Sequence, residues 1–458
     1  MSVTTTPSMT PNFSTSVTDY TTTCGGGSVR VSVTPPAGGA ASVDGLPASR
    51  VRQSRQVLIQ PGQRFVVRTT GGVARGYSVR CLPADFPKFA ASGLLPSATP
   101  FVALSEVSAF VFGGGVAPYA FVVDRHGVPV WWMQTSSLTP FNVTAMAGSR
   151  VGFWTGTPFI GGIDDGTFEV HAPNGALEHQ VKAVGTATDA HEALRTSRGS
   201  WFVSSYVHRD HVDLTSIGGP ADGAALDARI EEVSATGDLI WQWNSHDHIA
   251  TPETAQPIIW QQLPPDPSVY DLVHLNSIFE DGNGGLVVSL RDTNSVVHIR
   301  KSDGVIDWKL GGTTTPVSLK VVGDKAVGGP LGGPHDARLS PDGSLTVFDN
   351  RIGLKGQPRA TRWRINLSKR TATLLEEVPD ANVRAAPCCG SARRATDGSW
   401  LVDWGANPYV RSYSPSRRLL FSLAFSGHGF AYRASPFGVG AGVRSSFVAG
   451  MDAMHPRP

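Results

Sequence analysis

The sequence predicts an all-β chain, and three observations carry that expectation. Short β-branched and aromatic runs recur between Gly, Asp-Gly and Pro punctuation, with 51 glycines and 33 prolines in 458 residues. No long segment keeps the 3.6-residue spacing of an amphipathic helix. Two short phrases also repeat in alternation, and each reads as a pair of strands.

Composition excludes several classes of function. Basic and acidic residues nearly cancel, 39 against 37, for a formal charge of +2, and no Lys/Arg cluster is interleaved with aromatics. That balance argues against a nucleic-acid binder. No stretch approaches the apolar length of a membrane span. The opening MSVTTTPSMTPNFST lacks the basic and apolar parts of a signal peptide, so either the protein is cytoplasmic or its leader is absent from this sequence.

Residues 1–85 read as a separate small β-domain with a structural or interaction role. VRVSVTPP, ASVDG, QVLIQPGQRFVVRT and GYSVRC alternate apolar and polar residues between turns, as half-buried strands do. Cys24 and Cys81 bracket this region, either as a disulfide in an oxidising compartment or as two buried thiols. Residues 86–115, with LPADFPKFAASGLLPSATP, read as a linker lying against the next domain.

From residue 116 to 458 the two repeats interleave. One is a β-hairpin often ending in tryptophan: YAFVVDRHGVPVWWM, TFEVHAPNGALEHQV, ARIEEVSATGDLIWQWN, SVVHIRKSDGVIDWKLGG, ATRWRINLSKRTATLLEEV and YVRSYSPSRRLLFSLAF. Asn-Gly, Thr-Gly-Asp or Asp-Gly turns mark the hairpins. The other phrase is HEALRTSRG from His191, HLNSIFEDGN from His274 and HDARLSPDG from His335. Each ends in a Gly turn and is followed by an apolar run. A fourth copy, GSARRATDG, has Gly390 where the histidine would stand. Two strands from each phrase make four-stranded units, which repeated radially form a β-propeller; the count favours six blades. The histidine segments then line the central channel.

Register adds further candidates. Counted from the turn, Arg291 aligns with Asn350, Gly405 and Tyr206. Asn276 stands two residues after His274 and faces the same side in a regular strand. Arg338, three after His335, falls on the opposite face, and Glu192 and Asp336, each directly after a histidine, point away. Cys388 and Cys389 are adjacent, either as a vicinal disulfide or as two thiols; with no second pair they make a poor zinc site.

Three readings of the histidines compete. They satisfy buried backbone groups and water. Or they ligate a metal, against which the acidic second shell is thin. Or Arg291, Asn276 and two partly protonated histidines cradle a tetrahedral oxyanion while the third attacks or shuttles protons. No G-x-x-x-x-G-K-[ST] loop points to a nucleotide donor, and no G-x-S-x-G elbow is present.

HLNSIFEDGNGGLVVSLRDTNSVVHIRKSDGVIDWKLGG, followed by GPHDARLSPDGSLTVFDN, resembles the arylsulfate sulfotransferase family, the arylsulfotransferases. DAHEAL and YAFVVDRHGVPVWW are similar to the same family, and the resemblance spans roughly residues 80 to 435. It implies a six-bladed propeller preceded by a small N-terminal β-sandwich. It also implies an enzyme that moves a sulfuryl group from an aryl sulfate donor to a phenolic acceptor without phosphoadenosine phosphosulfate or any other cofactor. The family's mechanism is ping-pong, through a sulfohistidine. By motif, His335 matches the nucleophile, His274 and His191 the sulfate-binding and proton-transfer histidines, and Asn276 and Arg291 the remaining sulfate ligands. The family pattern calls for a hydroxyl from the last blade, for which CCGSARR offers Ser391. It also implies a secreted or extracytoplasmic location. Trp241, Trp243, Trp260 and Phe348 are candidates for an aryl pocket, with Trp241 and Trp243 read as core. The runner-up is a metal-dependent propeller hydrolase or oxygenase, and a non-enzymatic scaffold is third.

Overall fold

In the N-terminal region, alternation decides which side chains go inside. Strand Ser28–Thr34 turns Val29, Val31 and Val33 inward, each fully buried, which stabilises by roughly 1.5–3 kcal/mol per side chain. It is the central strand of a three-stranded antiparallel sheet with Ser2–Thr6 and Gln53–Leu58. A second sheet orders Asp19–Thr23, Arg75–Leu82, Arg64–Thr70 and Ala40–Val43. Both sheets contribute to one apolar core around Tyr20 and Phe65, and Cys24 is joined to Cys81 beside it. The computed structural model describes residues 1–458 apart from 72–73, 108–116, 136–139, 157–165, 256–268, 439, 441 and 458.

The stretch expected as a linker carries two strands. Phe89–Gly93 pairs antiparallel with Leu419–Phe425, and Phe101–Ser105 with Tyr119–Asp124. Residues 108–115 of that stretch lie outside the described residues.

Six sheets then follow one another. The first orders Pro129–Gln134, Tyr119–Asp124, Phe101–Ser105 and, from the far end of the chain, Ser435–Phe437. The second runs from Phe141–Met146 to Leu177–Val181, the third from Thr188–Arg195 to Leu239–Asn244 and the fourth from Leu275–Glu280 to Ile306–Gly311. The fifth runs from His335–Leu339 to Thr371–Pro379 and the sixth from Ser391–Arg394 to Leu419–Phe425. All six hairpins read from the sequence are present as antiparallel pairs, each with one register shift. The first strands of the second to sixth sheets lie side by side in order, and Ser435–Phe437 lies beside Phe141–Met146. The Ser391 hydroxyl accepts the Ala434 N–H at 3.2 Å, which joins the sixth sheet to the strand that completes the first.

Among the described residues one α-helix, Val443–Met454, departs from the all-strand expectation. Phe447 and Met451 are its buried contacts, and it packs against Pro129–Gln134. Gly450 is required there, since a Cβ would stand 2.0 Å from the Pro173 carbonyl oxygen. The helix's Asp452 pairs with Arg64 at 2.6 Å and Arg80 at 2.9 Å, tying it to the N-terminal sheets. Among the described residues no helix is long and apolar enough to cross a membrane.

Candidate functional site

The phrases that carry the histidines open the third, fourth and fifth sheets, and each is broken at its histidine. Antiparallel pairing slips between Thr188 and Ala193, between Leu275 and Ser277, and between His335 and Arg338. His274 takes φ 48° and Asp336 φ 57°. A bulge re-aims a side chain that regular pleating would send to one face. His191, His274 and His335 are buried, at 4%, 7% and 2% exposure. The His191 and His274 rings meet edge to face, with centroids 4.9 Å apart.

Their partners differ. His191 Nδ1 lies 2.9 Å from Asp189 Oδ1, and the Ser204 hydroxyl donates to the same carboxylate at 2.8 Å. Burial pushes the Asp189 carboxyl up, but the His191 imidazole and these hydrogen bonds outweigh it and hold the group below its usual range. His274 Nδ1 lies 2.6 Å from Asp271 Oδ2. Burial drives the His274 imidazole toward neutrality, yet the Asp271 carboxylate prevails and its pKa is raised. Among the described residues, the His335 ring has no carboxylate partner. Its Nδ1 faces the Gly333 carbonyl at 3.0 Å and Asn350 Oδ1 at 2.9 Å. Burial, then Arg291 and His274, lower its pKa well below the ordinary value. The Asn350 amide nitrogen donates to the Ala386 and Cys389 carbonyls at 3.1 and 3.0 Å, which assigns Oδ1 to the histidine side. His335 is therefore neutral with its proton on Nδ1, and the lone pair is on Nε2. The Cys389 N–H donates to that nitrogen at 3.2 Å.

Arg291 and Asn276 take less symmetrical places. Arg291 pairs with Asp292 and reaches the Pro387 carbonyl at 3.4 Å. Asn276, fully buried, donates to the Pro334 carbonyl at 2.8 Å, and its Oδ1 accepts the Asp336 N–H at 3.4 Å, holding the His335 strand beside the His274 strand. Tyr206, at the register position of Arg291 and Asn350, is buried with its hydroxyl unpartnered, and burial pushes its pKa well up so that it keeps its proton. Ser391 is engaged with Ala434. Among the described residues, the grouping of acid and histidine atoms compact enough for a metal ion is Asp271, His274 and Asp292, within 4.8 Å of one another. Asp271 already holds His274, and Asp292 holds Arg291.

The acidic second shell is not thin, contrary to expectation. Asp189 and Asp271 supply it, two and three residues before their histidines; the DAH of DAHEAL and the DLVH before LNS were the signal for them. Glu192 and Asp336 do turn from the histidines, into a buried layer of charge. Glu192 pairs with Arg338 and Arg433, and Asp336 with Arg393, Arg338 and Arg433. Three guanidinium groups against two carboxylates leave this layer positive.

Of the aromatic candidates, Trp241 and Trp243 lie in the core as expected, while the aromatic surroundings of the histidines differ from expectation. Phe348 is fully buried and packs on Trp404. Trp243 is buried with its N–H on the Gly304 carbonyl at 3.0 Å, and Trp241 is half-buried against the same core. Trp260 lies outside the described residues. Phe141 and Tyr432 stack instead, centroids 4.1 Å apart, and both rings stand within 6.1 Å of the His191 ring. Neither belongs to a repeated phrase, so no register signal marked them. Gly390 replaces a fourth histidine for a steric reason: its φ is 103°, and a Cβ would stand 2.4 Å from the Phe348 ring.

No curated protein matches this chain. Solved structures similar to it include a protein of unknown function from Bacteroides caccae, at 10% identity and TM-score 0.44, covering 74% of this chain and 99% of that one. Virginiamycin B lyase from Staphylococcus aureus is 12% identical, with TM-score 0.36 and coverage of 73% and 87%. A streptogramin B lyase is 12% identical, with TM-score 0.40 and coverage of 76% and 92%. A family description, arylsulfotransferase (ASST), matches residues 156–426, more than half of the sequence and all three histidine phrases. The chain belongs to the arylsulfotransferase family.

Proposed function

We propose that this protein transfers a sulfuryl group from an aryl sulfate to a phenol by a ping-pong reaction through His335, without phosphoadenosine phosphosulfate. The carrying observation is the state of that histidine: neutral, with Nδ1–H held by two acceptors and the lone pair on Nε2. In the first half-reaction Nε2 bonds to sulfur while the S–O bond to the aryl group breaks, and a phenolate leaves with the electron pair. The ring keeps its Nδ1 proton, and Asn350 and Gly333 stabilise the positive charge it gains. Cationic His274 and Arg291 face the charge on the peripheral sulfuryl oxygens. His191, oriented by Asp189, takes the proton of the incoming phenol for the return transfer. The Phe141–Tyr432 pair beside His191 supplies an aromatic wall for the aryl group.

In this reading the six sheets are the blades of a propeller over residues 116–458, preceded by a β-sandwich over residues 1–85 with residues 86–115 connecting them. The histidine strands are innermost. Two disulfides fit a secreted or extracytoplasmic site of action, since such bonds persist in oxidising compartments.

The test is nitrophenol release from p-nitrophenyl sulfate, with and without phenol and with no nucleotide. Release that requires phenol and drops by at least about 10⁴-fold in His335→Ala is expected. Release without phenol would make the enzyme a sulfatase, and full activity in His335→Ala would sink the mechanism.

A further inference from the structure

The segment Ala386–Gly390 lies across the nucleophile, and its backbone is engaged almost residue by residue. The carbonyls of Ala386 and Cys389 both accept from the Asn350 amide that orients His335. The Pro387 carbonyl accepts from Arg291, and the Cys389 N–H rests on His335 Nε2. The sulfurs of Cys388 and Cys389 are joined to each other within this strap. Adjacent cysteines closed into one small ring lose rotational freedom about the peptide between them. Cys389 is held at φ 66°, a left-handed conformation that a residue with a Cβ rarely adopts.

A disulfide spanning one peptide bond closes no loop worth stabilising, because the entropy removed from the unfolded chain grows with loop length. Its consequence is local, and what is local here is the reactive nitrogen. We propose that the Cys388–Cys389 disulfide is a positioning element of the transfer site, which holds the Cys389 N–H where it caps Nε2 at rest and donates to the sulfuryl oxygens once Nε2 has bonded to sulfur. This rests on the reading of His335 as the sulfuryl carrier. Nε2 spends its lone pair on sulfur, so the N–H beside it loses its acceptor as an anionic oxygen arrives. Transfer is then redox-dependent. A dithiol reductant delivers two electrons and two protons, yielding two thiols and its own cyclic disulfide, and the freed strap no longer fixes that N–H.

The test compares oxidised and dithiothreitol-treated full-length enzyme, with thiols counted by mass after alkylation. Reduction of this pair is expected to lower kcat for sulfuryl transfer about tenfold while KM for the donor changes less than twofold, and reoxidation restores it. The Cys388→Ala/Cys389→Ala variant is expected to start at the reduced rate and not respond to reductant. Unchanged kcat with both thiols demonstrably free overturns the proposal. A second measurement needs no turnover: the 15Nε2 signal of His335 is expected to shift on reduction, and an unmoved signal also overturns the proposal. An oxidised enzyme that transfers nothing refutes the sulfotransferase reading, and the Nε2 signal still judges whether the disulfide sets that contact.

Discussion

His274 and His335 occupy the same register position in successive sheets, yet their pKa values are shifted in opposite directions. Both are buried, so desolvation pushes both toward neutrality. His274 escapes because Asp271 lies 2.6 Å from its Nδ1. At His335 that place is filled by a carbonyl and an amide oxygen, acceptors without charge. In the proposed reaction, one repeat makes a cation and a nucleophile by placing a carboxylate beside one imidazole and an amide beside the other. Two groups of one kind whose environments separate their pKa values are a signature of divided roles.

Asn350→Asp should break the comparison most severely, since it gives His335 the kind of partner His274 has. The imidazole becomes cationic, its lone pair is lost near neutrality, and transfer should fall about hundredfold at pH 7. The substitution also strands the Ala386 and Cys389 carbonyls, so the rate alone is ambiguous. The pH profile separates the effects. Wild-type kcat/KM should hold well below pH 6.5, whereas the variant's acid limb should move upward by more than about one unit. A uniform loss at every pH would mean that the strap had been damaged instead.

Asp271→Asn sharpens the same comparison from the other side. His274 loses the charge that keeps it cationic, and burial then drives it neutral. With one cation fewer facing the sulfuryl oxygens, kcat/KM should fall about tenfold, with the fall smallest at acid pH, where His274 protonates again. A loss that grows as pH falls would contradict the role given to His274.

Much of this contrast was legible in the sequence, and what was not had a definable cause. Hairpins and histidine phrases announce themselves through turn chemistry and period-2 alternation, which are local. Asp189 and Asp271 stand in plain view, but alternation assigns side chains to faces only in regular strands. Asp189 lies within the slip between Thr188 and Ala193, whereas Asp271 ends strand Val269–Asp271 and meets His274 across a turn in which His274 takes φ 48°. Phe141 and Tyr432 meet through chain segments far apart in sequence, and no local pattern marks such a pair. Helix Val443–Met454 was missed because VRSSFVAGMDAM carries serines and a glycine of modest helical preference. Its buried contacts and its pairing with Arg64 and Arg80 stabilise it instead.

Stability should carry the same opposition, at smaller amplitude. The folded pKa of His274 is raised, so its contribution is complete below the unfolded value near 6.5 and is lost as pH rises through the folded value. The folded pKa of His335 is depressed, so its contribution is present above that unfolded value and is lost as pH falls toward the folded one. Melting temperature against pH should show both limbs in the wild type. His335→Asn should flatten the acid limb by about 2 °C and leave the alkaline limb in place. Flattening of the alkaline limb instead would reverse the two assignments.

The smallest effect should come from chelation. Asp271, His274 and Asp292 lie close enough to hold a metal ion, which is the alternative reading of the same residues. Yet each charge is matched from within: Asp271 by His274, Asp292 by Arg291, and burial raises the pKa of Asp292 besides. An added cation would have to displace the proton on His274 Nδ1 and compete with a guanidinium, losing the charge state that sets His274 apart from His335. EDTA treatment followed by metal analysis should therefore leave sulfuryl transfer within about twofold of untreated enzyme. A larger loss restored by one divalent ion would move Asp271 from orienting an imidazole to ligating a metal, and the contrast between the two histidines would need another cause.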